Sequence, residues 1–155
     1  MPKSKQHGLT LIETLMVIAI IAGVIVFSTR LFVNARLNTN VTATISQIKQ
    51  AVQAGYQWIN EQPQTDFNGN ANQISINKLI NAHLLEAKNQ YGPWPNSILT
   101  VSPDPDQPDH LRIALNNIPA SACTNLRSRM QNSTIKQISA KACGKRGNAQ
   151  YYGVF

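Results

Sequence analysis

The apolar positions fall into three regimes along the chain. From Leu9 to Phe27 apolar residues dominate, and Leu15 to Phe27 is a run of 13 consecutive apolar residues. Ser28-Thr29-Arg30 interrupts, and Leu31-Phe32-Val33 resumes. As a helix, the 19 residues from Leu9 to Phe27 rise about 28 Å, enough to cross a bilayer core. A helix apolar on every side suits lipid better than the core of a small domain, and Arg30 can snorkel toward headgroups. Further on the spacing becomes three and four. Val41, Ile45, Ile48, Val52 and Tyr56 form a stripe, widened by Ala51, Trp58 and Ile59, with Gln47, Lys49, Gln50 and Gln53 between. No proline stands between Pro2 and Pro63, so one helix is expected from Leu9 to about Gln62, 54 residues and about 80 Å. Residues 34–44, NARLNTNVTAT, are poor helix formers, and a bend or local melting is expected there, with Gly23 a second weak point.

The third regime is broken into short pieces. Gln62 to Gln73 reads as a loop. Ser75 caps a helix carrying Ile76, Leu79, Ile80 and Leu84 on one face and ending near Lys88. Tyr91 to Asn96 is a rigid turn. Ile98 to Val101 and Leu111 to Leu115 read as strands around a Pro/Asp loop, Pro103 to Asp109. Pro119 starts a helix over PASACTNLRSRM, and Ile135 to Ser139 and Tyr151 to Phe155 supply further strands. The class is therefore α+β.

Composition sharpens this. Only 14% of the 155 residues are charged, against roughly 25% in an ordinary soluble domain. The net charge of +7 is unevenly spread: residues 9–60 hold three Lys/Arg and one acid, 61–109 two and six, 110–155 seven and none. Three readings of the basic third stay open: patches complementary between copies, contact with DNA or another anionic surface, or a solvated basic face. Enzymatic chemistry finds no support. His83 and His110 stand alone, no HExxH, Gly-rich phosphate loop or GxSxG occurs, and prolines spoil cation-loop spacing at Asp104, Asp106 and Asp109. No catalytic, cofactor or metal-binding residue is expected.

The N-terminus, MPKSKQHG, is polar and carries Lys3 and Lys5. An ordinary secretory signal is cut after its apolar run, and Val33-Asn34-Ala35 would serve. That leaves Glu13 without a purpose, although a carboxylate in a membrane helix costs roughly 2.5 to 3.5 kcal/mol on insertion scales. Gly8 followed by Leu9-Thr10-Leu11-Ile12-Glu13 resembles the class III leader of type IV prepilins, over about Lys5 to Val26. The resemblance implies removal of residues 1–8 by a prepilin peptidase cutting after Gly8, and N-methylation of Leu9. It implies that Glu13 acts in filament assembly, pairing with the N-terminal amine of a neighbour, which is cationic at neutral pH. Snorkelling of Glu13 to headgroups is the other reading.

Implied partners are further copies of the chain in a helical homopolymer, the peptidase, an assembly ATPase and an inner-membrane platform protein. The implied location is the inner membrane for the precursor and an extracellular pilus after assembly. The implied pilin fold packs the second half of the long helix, 34–62, on a small antiparallel sheet in a head, 63–155. The membrane or filament-core half is 9–33.

Leu84 to Leu126 further resembles type IVb pilins such as those of conjugative thin pili: a leucine-rich helix, an aromatic turn, two strands, Ile-Pro, then Ala-Cys opening a helix. Two departures are a leader of 8 residues, and Pro95-Asn96 in place of the usual glycine pair. Leu9 as first mature residue leans back toward that subtype. Cys123 and Cys143 would then lie outside the inner membrane, where disulfides persist. Closing that loop is worth roughly 3 kcal/mol, and a free buried pair is the alternative. A secretion pseudopilin, a minor pilin, and a membrane-anchored protein binding DNA or a surface remain open beside the pilus subunit.

Overall fold

The computed structural model describes residues 10–63, 66–69, 73–137, 143–144 and 149–155. Helix α1 spans Leu11–Asn60, and the chain divides into two compact units between Asn38 and Thr39. Residues 34–44 and Gly23 are helical, so the melting expected there does not occur. In the second unit the reason is packing. Val41 and Thr44 are fully buried, the Thr44 hydroxyl donates to the Asn40 carbonyl at 2.9 Å, and tertiary burial outweighs weak propensity.

The folded unit, 39–155, sets α1 beside a four-stranded antiparallel sheet of order β1-β2-β4-β3. Its strands are β1 (Ile98–Pro103), β2 (Leu111–Ile118), β3 (Lys136–Gln137) and β4 (Ala149–Val154). β1 and β2 pair from Ile98 with Asn116 to Pro103 with Leu111. Alternation puts Leu99, Val101, Leu111, Ile113, Leu115 and Tyr151 in the core. The two strands outrun their expected limits by two and three residues. Between Leu115 and Ile118 the β2–β4 register shifts. Asn117 sits there at φ 56° and donates its amide to the Asn96 carbonyl at 2.9 Å, tying the bulge to the Tyr91–Asn96 turn. That turn is as expected: the Gly92 N–H donates to the Ser97 carbonyl and the Ser97 N–H to that of Trp94.

The seam of α1 differs from the expected stripe. Val41, Thr44, Ile48, Ala51, Ala54, Gly55 and Trp58 are buried, whereas Ile45, Val52 and Ile59 are half-buried and Tyr56 is exposed. The sheet approaches closely enough that small residues take the centre and large ones flank it. A Cβ on Gly55 would stand 2.6 Å from Cδ2 of Leu111, inside van der Waals contact.

Helix α2 (Ile76–Asn81) is capped as expected by Ser75, whose Oγ accepts from the Lys78 N–H. It ends at Asn81 rather than near Lys88, because His83 turns to φ 59°. Leu85 then takes the core place expected for Leu84, and a 3-10 turn follows at Ala87–Gln90. Helix α3 (Ala120–Met130) follows Pro119 and buries Ala122, Cys123, Leu126 and Met130. Cys123 and Cys143 form a disulfide with Cα atoms 5.4 Å apart, 20 residues apart in sequence. It fastens α3 to the segment before β4. The expected strand at 135–139 is seen as β3, and its last two residues lie outside the described set.

Candidate functional site

Among its described residues the first unit presents an open apolar surface. Every large apolar side chain from Leu11 to Val33 is more than half exposed, from 52% at Ile21 to 80% at Leu11. Each of these stabilises by about 1.5 to 3 kcal/mol when buried, so the segment requires lipid or neighbouring helices. Polar groups in it are satisfied locally: the Thr29 hydroxyl donates to the Ile25 carbonyl at 2.8 Å.

At its start, Thr10 and Glu13 close on each other. The Thr10 N–H donates to Glu13 Oε2 at 3.0 Å and its hydroxyl to the same oxygen at 3.2 Å. The N–H groups of Glu13 and Thr14 donate to the Thr10 carbonyl. This is the side-chain half of a capping box, with a carboxylate where the helix dipole favours one. The Thr-x-x-Glu spacing announced it, and the sequence reading above missed it. Gly8 and Leu9, expected at the cleavage and methylation point, lie outside the described residues.

In the folded unit several charged side chains have defined partners. Arg129 Nη1 donates to Thr42 Oγ1 at 3.0 Å, near where α1 enters the unit. Near α1's last turn, the Phe67 N–H donates to the Pro108 carbonyl at 2.9 Å, and the Phe67 ring meets Tyr56 edge-on at 5.5 Å. Asp109 is thereby held near Tyr56, whose hydroxyl is pushed above its ordinary pKa by burial and then by Asp109. Lys136 donates to Asp106. That bond, then the lysine's charge, holds the Asp106 carboxyl below its usual range and raises Lys136.

Asp104 is buried, its N–H donating to the His110 carbonyl, and His110 Nδ1 lies 3.6 Å from Asp109. Among the described residues no group of three or more His, Cys, Asp or Glu side chains is placed to hold a metal. His83 opens onto a cleft of about 390 Å³ with Gln50, Gln53, Gln57 and Asn89. Arg112 stacks over Tyr152 at 4.4 Å.

The family described as the prokaryotic N-terminal methylation motif matches residues 3–26. No curated protein and no solved structure matches the chain. The match spans the polar start, Gly8, Glu13 and the apolar run. With the long helix, the small antiparallel sheet and the disulfide, it fits the pilin fold. The match on residues 3–26 supports a type IV pilin-like prepilin, and the motif indicates a structural protein. An N-terminal helix with this apolar surface fits an inner-membrane precursor and then an extracellular pilus.

Proposed function

We propose that the chain is a type IV pilus subunit of the IVb kind. In this reading it is cleaved after Gly8, methylated at Leu9 and polymerised into a surface filament for adhesion, aggregation or mating-pair contact. The observation that carries it is the methylation motif on 3–26, continuous with a helix whose large apolar side chains from Leu11 to Val33 all lie open. An ordinary signal peptide discards such a surface, and cleavage at Gly8 retains it. Glu13 then exchanges Thr10 for the α-amine of a neighbour's Leu9, an ion pair that favours one axial offset between otherwise featureless helices.

The test is mass spectrometry of filaments sheared from cells. The reading expects this chain as the abundant component, beginning at N-methyl-Leu9. Gly8→Val should leave full-length precursor in the membrane. Mature protein beginning at Arg36 would overturn the reading. A trace presence in filaments made of another chain would make it a minor subunit.

A further inference from the structure

We propose that the cleft between α1 and the turn after α2 binds a neutral saccharide. The cleft exists because α2 stops early. His83 turns to φ 59°, and the chain that follows leaves a space of about 390 Å³ against α1. That lies at the small end of ligand pockets, which run from about 300 to 1,000 Å³. The α1 wall carries Gln50, Gln53 and Gln57, three and four residues apart and so on one face. The facing wall carries His83 and Asn89.

Bonds within the fold decide what these amides offer. Asn89 is only 7% exposed, and its Nδ2 donates to Gln50 Oε1 at 3.0 Å. Among the described residues Asn89 Oδ1 meets no donor and Gln50 Nε2 no acceptor. Gln57 gives its Nε2 to Glu61 and keeps its oxygen, and the Gln53 amide has no partner among the described residues. An amide held on one side and open on the other sets a donor or an acceptor at a fixed place. Ala54 and Leu85, both buried, supply an apolar floor. Donors and acceptors side by side over an apolar floor match a sugar ring, whose hydroxyls both give and accept and whose C–H face is apolar.

Charge narrows the choice. Among the described residues no Lys or Arg lines the cleft, although the chain carries +7, so an anion finds no countercharge there. Its carboxylate, Glu86, is paired with Lys88, so a cation is not favoured either. With no aromatic ring besides His83 to stack on, one copy holds a sugar weakly, with Kd about 1 mM. Copies repeated along a filament raise that by about 10² to 10⁴ through avidity, and this step alone rests on the filament reading above.

The experiment titrates maltose, lactose and N,N′-diacetylchitobiose into the full chain, held in a detergent without a sugar headgroup. NMR reads the side-chain amide signals and the His83 ring. At least one of the three should bind with Kd within about tenfold of 1 mM and shift the Gln53 and Asn89 amides. Gln53→Ala removes a side chain that holds nothing in the fold and should weaken binding by about threefold to tenfold. Glu86→Gln should leave it unchanged. Three results overturn the proposal: no binding by any of the three at about 10 mM, wild-type binding by Gln53→Ala, or tighter binding of glucuronate or of N-acetyltriglycine amide than of every sugar tried. Sheared filaments that bind an immobilised sugar no more tightly than the single chain overturn the avidity step and leave the cleft standing.

Discussion

Replacing Glu13 by Gln separates what that side chain does within one subunit from what it does between subunits. Within the subunit it accepts from the Thr10 N–H and hydroxyl at 3.0 and 3.2 Å. A Gln oxygen can accept both, but charge-assisted bonds worth about 1.5 to 3 kcal/mol become neutral ones worth about 0.5 to 1.5. The cap weakens by about 1 kcal/mol per bond, about 2 kcal/mol for the two. Against that, the carboxylate's penalty of roughly 2.5 to 3.5 kcal/mol in a membrane helix falls, since burying an amide is cheaper. Insertion is therefore unimpaired, and subunit level should be normal.

Between subunits the proposed pair loses its charged acceptor and leaves an amine buried and unpaired, about 3 to 5 kcal/mol per contact. Filament equilibria should then shift by more than about a hundredfold per contact. Immunoblots of sheared and cell-bound fractions, with protease accessibility of the folded unit as control, measure both quantities. Normal pili from Glu13→Gln would refute the assembly role. A fall in subunit level matching the fall in filament would refute the separation of the two functions.

Cys123→Ser should act in the opposite order: opening a 20-residue loop removes about 3 kcal/mol from a margin of about 5 to 15. Protein level and protease resistance should fall before any assembly defect. Tyr151 is fully buried and its hydroxyl has no hydrogen-bond partner among the described residues. Tyr151→Phe removes a desolvated, unpaired group and should leave the full chain's thermal midpoint in detergent unchanged or higher, the gain in stability reaching at most about 1 to 3 kcal/mol.

The Asp106–Lys136 pair sets a pH window. Lowered Asp106 contributes above the ordinary carboxylate range and is lost as pH falls through its lowered value. Raised Lys136 contributes below its ordinary value and is lost as pH rises through its raised one. Protection of the Ile135 N–H, which donates to the Val154 carbonyl at 2.7 Å, should decline slightly at both extremes after correction for intrinsic exchange. Asp106→Asn should abolish the acid limb.

What the sequence discloses depends on how local the cause is. The long helix was legible because thirteen successive apolar residues and a missing proline are facts about neighbours in the chain. Ser75 was legible as a cap for the same reason. The buried seam was legible only in part: Val41, Ile48, Ala51 and Trp58 lie on the expected stripe. Hydrophobicity ranks Ile45, Val52 and Tyr56 above Ala54 and Gly55, but how closely Leu111 approaches α1 is set by the sheet. The early stop of α2 was equally hidden, since neither glycine nor proline marks His83. Arg129 finds Thr42 across 87 residues of sequence, and no local pattern foretells such a contact.

Glu13 stood out through the energy of burying it, and that same reasoning drew attention past Thr10. A costly charge invites a search for a distant partner, yet the nearest one is three residues away. The local bonds change what assembly must overcome. A carboxylate with no partner in the membrane would be unstable until it met a neighbour, and any neighbour would relieve it. A carboxylate already held by Thr10 gives up two hydrogen bonds as it gains an ion pair, so only the difference between the two arrangements drives docking. That smaller difference penalises wrong offsets, where the amine is out of reach and the Thr10 bonds are simply kept. On the filament reading, the capping box makes the contact selective without making the waiting subunit unstable.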